Sequence, residues 1–359
     1  MQDLLVSYPA EPANCPPIPI IIPAMQRCPP TPDWLAAKVA ELRATAWSTR
    51  TTRPVCRTFH LLVFLAVLTP ALLATENGTT DFPNGGEDFL AAAMPPPGWY
   101  GWMTYNRYAA DTLTDNAGHM PLYRFDLQVN AIVPRLDWVK PVSVLGADRW
   151  GTLLILPLLD VDLMLSPVPG VTVSGRKRGP GDMAFGNGLH WTFHDFEMIN
   201  SFDVNAPTGA YHASDPANPG RNRWVFRLNT LGTWRPAPDW DVSYRLMWDY
   251  NFKNPDTDYR SGQTVYLNWA VGWKPKPQMT VGLAGYFLRQ ITDDHQAGQV
   301  VGPGGNRVQV DGLGPAMKYF LPNHVLLTMK YFREFNARNH PQGEQFWFEV
   351  TVPLGPGPK

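Results

Sequence analysis

Long runs of strict apolar/polar alternation constrain this chain more than any other feature. Tyr123, Phe125, Leu127 and Val129 interleave with Arg124, Asp126, Gln128 and Asn130, and Trp224, Phe226 and Leu228 with Arg223, Arg227 and Asn229. Val242, Tyr244, Leu246, Trp248 and Tyr250 oppose Ser243, Arg245, Asp249 and Asn251 in the same way. Two further apolar faces follow: Val265, Leu267, Trp269, Val271 and Trp273, then Phe346, Phe348, Val350 and Val352. A period of two puts each set on one face of an extended strand, whereas a helix would scatter it around its circumference.

Soluble sandwiches also alternate, so three further features place the sheet in lipid. The apolar faces run for about ten residues, as a tilted strand needs to cross a bilayer, and sandwich strands are typically about half as long. Large aromatics (Trp224, Trp234, Trp240, Tyr250 and Trp273) lie toward strand ends, as in an interfacial girdle. Tight turns at 194–195, 236–239, 275–277 and 322–323 alternate with long polar segments at 208–220, 254–262, 293–306 and 337–343. That asymmetry separates periplasmic turns from extracellular loops in bacterial outer-membrane barrels.

The reading is therefore all-β: a transmembrane antiparallel up-and-down β-barrel of about twelve strands at 98–354, with a short N-terminal luminal segment. Strands are expected near 98–108, 121–136, 151–165, 182–193, 196–206, 222–235, 239–253, 263–274, 278–291, 307–321, 324–335 and 345–354. In the third, Leu153 to Leu165 is nearly all apolar, and Pro157 removes a ladder donor, which marks a bulge or irregular stretch. Asp160 and Asp162 argue against a membrane helix there.

The N-terminal part is different material. Arg50, Arg53 and Arg57, then LLVFLAVL, then Pro70, Ala71 and Ala74 have the order of a signal peptide, assigned to 57–75. Its apolar core falls short of the ~20 residues of a spanning helix. Residues 1–56 are Pro-rich with one short helical stretch at 34–45. They are either the product of a start codon placed too early or a genuine disordered extension. Cys15, Cys28 and Cys56 all precede the signal core, so the exported part is free of thiols. Residues 355–359 form a short tail.

A formal net charge of -1 gives no field that would gather nucleic acid. Catalytic patterns are weak. His190 and His194 have a zinc spacing for a helix, but a strand separates them by about 13 Å. A hydrolase triad of Ser201, Asp203 and His194 has no sequence support beyond residue type. Gly302 to Gly305 does not join a strand to a helix, so it is not a phosphate loop. The loop at 254–262 lacks the carboxylate spacing of a Ca²⁺ loop. No metal, organic cofactor or enzymatic activity is expected.

Five ordered strings resemble one family: FPNGGEDFLAAAMPPPG (82–98), FDVNAPTGAY (202–211), GRNRWVF (220–226), KNPDTDYRSGQ (253–263) and LAGYFLRQITDD (283–294). They are similar to the SphA family, also called the MetA-pathway of phenol degradation family, over residues 76–354. The resemblance implies an outer-membrane transport protein linked to degradation of phenol and related aromatics; it does not carry over a particular solute. The partners implied are outer-membrane lipid and lipopolysaccharide, the barrel-assembly machinery and a small hydrophobic or aromatic solute.

The polar faces nominate Arg124, Asp126, Gln128, Asn130, Arg223, Arg227, Arg245, Asp249, Lys253 and Lys330 as lumen lining, in contact with solute or bracing the wall by ion pairs. Residues 76–97 are a leader in which 87–94 is expected to form a short helix ended by Pro95 to Pro97. It is a periplasmic leader or a plug carrying Asp88, Phe89, Leu90 and Met94. Asn254, Asp256, Asp258, Tyr259 and Arg260 form an outer-loop gate or simply cap a turn. Arg176, Lys177 and Arg178 belong to an outer loop, either touching lipopolysaccharide phosphates or forming a solvated turn.

Overall fold

The computed structural model describes residue 76, residues 83–302 and residues 304–355. The Pro-rich extension, the short helix at 34–45, the signal peptide and the last four residues lie outside the described residues. No described residue is α-helical.

The wall consists of β1 (Gly98–Leu113), β2 (Arg124–Val144), β3 (Ala147–Ile155), β6 (Met183–Phe193), β7 (Phe196–Ala206), β8 (Val225–Trp234), β9 (Trp240–Asn251), β11 (Thr264–Lys276), β12 (Met279–Gln290), β15 (Gln309–Phe320), β16 (Leu326–Arg338) and β17 (Pro341–Pro353). Each pairs antiparallel with its neighbours in chain order. β1 closes the ring, bonded to β17 from Tyr100↔Pro353 to Leu113↔Pro341 and to β2 from Gly98↔Val139 to Ala110↔Leu127. Twelve strands in a closed antiparallel barrel match the expected count, because period-two patterning and turn chemistry both survive in the sequence.

Several strands depart from the expected boundaries: β1 runs on to Leu113 and β2 to Val144. β3 and β4 (Leu158–Val168) are one ribbon interrupted at Leu156 and Pro157, where the proline cannot donate. The break is bridged by Leu156 N to Pro134 O at 3.0 Å and Gly181 N to Pro157 O at 2.8 Å. Beyond it β4 pairs with β5 (Val171–Pro180) in a hairpin outside the closed ring. Residues 176–178, expected in a loop or turn, are thus strand: Arg176 and Arg178 reach across to Asp160 at 2.7 and 2.8 Å, and Lys177 reaches Asp215 at 2.7 Å. The long loop expected at 337–343 is also corrected. β16 and β17 are joined by Asn339 and His340 alone, since the residues around them pair with β1 and β15, as at Leu113↔Pro341 and Gln309↔Arg338.

The tight connections at 145–146, 194–195, 235–239, 277–278 and 321–325 share one end of the barrel with Gly98 and Leu354. The opposite end carries 114–123, 207–224, 252–263 and 291–308, with a small sheet of β10 (Tyr259–Arg260), β13 (His295–Gln296) and β14 (Gln299–Val300). Short turns identify the periplasmic end. There Trp99 stacks on Trp138 with centroids 5.7 Å apart, and Trp240 lies opposite Trp273. All four are exposed, as interfacial tryptophans are.

Along β8, β9 and β12 the exposed face carries Leu228, Leu246, Leu283 and Phe287, while the buried face carries Arg227, Asn229, Arg245 and Asp249. Apolar-out and polar-in is the arrangement of a barrel in lipid, so Leu246→Arg should lower stability in phospholipid vesicles by about 2–4 kcal/mol, the range for a cation on a lipid-facing position near the midplane. Urea unfolding of the reconstituted protein measures it. An unchanged midpoint would mean that this face is not in hydrocarbon.

Candidate functional site: the lumen and the segment inside it

Residues 84–94 lie inside the barrel, held by side chains of six strands. Gly85 N donates to Asn268 Oδ1 at 3.0 Å, Leu90 N to Asp241 Oδ1 at 3.2 Å, Ala91 N to Ser243 Oγ at 3.4 Å and Ala92 N to Thr233 Oγ1 at 2.9 Å. Segment carbonyls accept from cations of the wall: Gly86 O from Lys330 Nζ at 3.0 Å, Phe89 O from Lys318 Nζ at 2.7 Å and Met94 O from the Arg149 guanidinium. These bonds explain why the short helix expected at 87–94 does not form. The wall supplies acceptors for the N–H groups that a helix would pair internally, and the chain makes turns, with Leu90 at φ 61°.

Charge fixes the register. Asp88 sits between Lys318 Nζ at 2.6 Å and Lys330 Nζ at 2.9 Å, all three buried. Glu87 accepts from Arg245 at 2.7 Å, and Arg245 also meets Asp203 at 3.2 Å and Asn229 Oδ1 at 2.9 Å. Arg227 donates from Nε and Nη2 to the two carboxylate oxygens of Asp249 at 2.7 and 2.6 Å. Bidentate geometry of this kind is the strong form of the pair. The apolar contacts of the segment use glycine in the wall: a Cβ at Gly272 would stand 2.7 Å from the Phe89 ring, and one at Gly151 would stand 2.8 Å from Met94 Cε. Phe89 is fully buried in a cluster with Met247, Ala270, Ala284 and Phe332.

Two chambers adjoin the segment. The outer, of about 200 Å³, has an apolar wall of Leu127, Val129, Ala131, Val133 and Leu159 facing Asn106, Glu334 and Gln345, with Pro83 and Asn84 as part of its lining. Glu334 accepts from Tyr108 and Tyr286 hydroxyls, each at 2.8 Å, and Tyr286 accepts from Gln345 at 2.9 Å. The inner, of about 130 Å³, is bounded by the segment from Gly86 to Pro95 and by Trp102, Arg135, Asp137, Lys318 and Glu349.

Of the residues nominated for the lumen, Arg227, Arg245, Asp249 and Lys330 are buried on the inner face, and Arg223 is buried just ahead of β8. Arg124, Asp126, Gln128 and Asn130 lie on the opposite face of β2 from Leu127, Val129 and Ala131, which line the outer chamber. Alternation locates two faces without saying which is inside. This stretch of β2 pairs with the hairpin strand β4 on one side and, from Leu127 on, with β1 on the other. Lys253 lies in an outer loop, ion-paired with Asp258. Asp88, Phe89, Leu90 and Met94 are all within the lumen.

Among the loop residues, Asn254 and Tyr259 are buried and Asp256 and Arg260 exposed. Tyr259 donates to Asp294 Oδ2 at 2.5 Å; burial and that carboxylate hold its phenol well above the ordinary tyrosine value. His190 is buried against Asp148 at 2.6 Å, and His194 is exposed in a periplasmic turn, so the two do not converge. Lys318, Glu87 and Asp241 were not singled out by sequence reasoning, and Asp203 was weighed only as part of a triad, although Asp241, Ser243 and Arg245 at alternate positions of one strand are a polar inner face in plain view.

Asp88→Ala should leave two buried ammonium groups without their shared carboxylate, at a cost of about 3–5 kcal/mol. Hydrogen exchange should then accelerate at amides 85–92 while strand amides stay protected. Unaltered protection of the segment would show that the ion pairs do not hold it.

A family model described as MetA-pathway of phenol degradation matches residues 110–350. No curated protein matches. Among solved structures, an outer-membrane channel from Pseudomonas putida F1 is 17% identical with a TM-score of 0.66, covering 76% of this chain and 99% of its own. The β domain of the Bordetella autotransporter BrkA is 12% identical with a TM-score of 0.46, over 72% of this chain and 100% of its own. A structure titled CymD monoaromatic hydrocarbon channel is 9% identical with a TM-score of 0.39, over 74% and 91%. The first likeness is one of fold, and the other two add nothing to it. With its closed barrel, periplasmic turns and aromatic belt, the protein is a barrel of the bacterial outer membrane, and the match over most of its length makes it a member of the MetA-pathway of phenol degradation family.

Proposed function

We propose that the barrel carries small hydrophobic or aromatic molecules of phenol-like size across the outer membrane into the cell, without acting on them as an enzyme. The outer chamber carries this reading. Its volume of about 200 Å³ is of the order that holds a single benzene ring, and it pairs an apolar wall with a few polar groups at one end. Asn106, Glu334 and Gln345 would meet a hydroxyl while Leu127, Val129 and Leu159 meet the ring. Lipopolysaccharide makes the outer leaflet a poor solvent for hydrophobes, so such molecules need a protein path.

Residues 84–94 would act as the gate. They separate the outer chamber from the inner one, so a solute passing toward the periplasm has to move them or squeeze past. The outer loops, ordered around Asn254, Tyr259 and Asp294, would narrow the entrance. An unspecific open pore fits less well, because the segment is bonded to the wall along its whole length.

In planar bilayers the intact protein should show little conductance, and deletion of residues 84–94 should raise it several-fold. Equal currents would remove the segment from its gating role. Growth of a knockout strain on phenol or toluene as sole carbon source tests the solute class: slower growth than wild type is expected, and normal growth on every aromatic tried would contradict it.

A further inference from the structure

At the outer mouth, three side chains from two loops converge on one carboxylate. Glu76 accepts from Thr257 Oγ1 at 2.5 Å and Asn254 Nδ2 at 2.7 Å, and from the Tyr211 hydroxyl at 3.2 Å. The donors are held in place by other contacts. Asn254 is fully buried, and its Oδ1 accepts from Asn222 Nδ2 at 2.8 Å and Asp256 N at 3.0 Å, which leaves its NH₂ directed at the acid. Its backbone N donates to Tyr259 O at 2.8 Å. Burial, partly offset by the Asn254 hydrogen bond, pushes the Tyr211 phenol up to about 12, so it remains a donor.

The cluster adjoins the outer chamber. Asn254 Nδ2 also reaches Arg221 O at 3.5 Å, and Arg221, Asp182 and Pro219 belong to the lining of that chamber. A rigid set of neutral donors at the rim of an apolar cavity of about 200 Å³ matches a molecule with a carboxylate at one end and a ring at the other.

We infer that Tyr211, Asn254 and Thr257 form a binding site for the carboxylate of a small aromatic acid, filled in this structure by the chain's own Glu76. The inference rests on the reading of the outer chamber as a solute site. A tethered side chain competes at an effective concentration of the order of millimolar, so it weakens the apparent affinity of a free acid without abolishing it. Neutral aromatics have no acceptor of this kind to offer the three donors and should ignore the site.

Calorimetric titration of the full-length protein in detergent, with benzoate and toluene as probes, tests this. Glu76→Ala should tighten benzoate binding at least tenfold, and adding Thr257→Val should weaken it again by a similar factor, while toluene binds alike in all three. A gain of affinity cannot come from misfolding, and heat-modifiable gel mobility checks the double variant. The same benzoate affinity with and without Glu76, or no loss on removing the Thr257 hydroxyl, would overturn the site. Toluene binding with that failure would leave the chamber reading intact; the expected benzoate pattern with no toluene binding would support the carboxylate site and limit the chamber to acids, against its reading as a path for neutral aromatics.

Discussion

Every backbone N–H and C=O in a hydrocarbon layer has to find a partner within the protein, and in this chain β1 completes that pairing by bonding to β17 on one side and β2 on the other. Closure removes the sheet edge, and it also fixes which residues meet lipid. Once the ring is closed, a period of two sends Leu228, Leu246 and Leu283 outward and Arg227, Arg245 and Asp249 inward. The inner face then carries charges that a lumen this narrow cannot fully hydrate.

Those charges are satisfied by one another and by residues 84–94. Asp88 between Lys318 and Lys330, Glu87 on Arg245, and Arg227 on Asp249 leave the major cations of the inner wall paired. Such pairs add little stability compared with apolar packing, because both partners are desolvated. Their consequence is specificity: one register of the segment satisfies Asp88, the Leu90 and Ala92 amides and the Phe89 recess at Gly272 together. The segment thereby braces the wall and lines chambers of different polarity.

The fold was legible in the sequence because its signals are local. Alternation along Val242–Tyr250, the turn residues and Pro157 each act within a few positions. What escaped was relational. Arg124, Asp126, Gln128 and Asn130 look like any inner polar face until Leu127, Val129 and Ala131, lining the outer chamber, show that the other face of β2 is the inner one. Residues 176–178 and 337–343 read as loops because of their polar composition, but the first lie in a paired strand and the second around a two-residue hairpin turn. The helix at 87–94 satisfied helical propensity but lost to acceptors contributed by strands more than a hundred residues away.

A spin-label scan along β9 in phospholipid vesicles probes the central proposition, that the apolar face of each ribbon meets acyl chains. Labels at the outward positions 242, 244, 246 and 248 should collide readily with oxygen and poorly with a water-soluble nickel chelate. Labels at the inward positions 243, 245, 247 and 249 should be shielded from oxygen, giving a period of two. Outward labels relaxed mainly by the nickel chelate, or a profile with no alternation, would contradict the account.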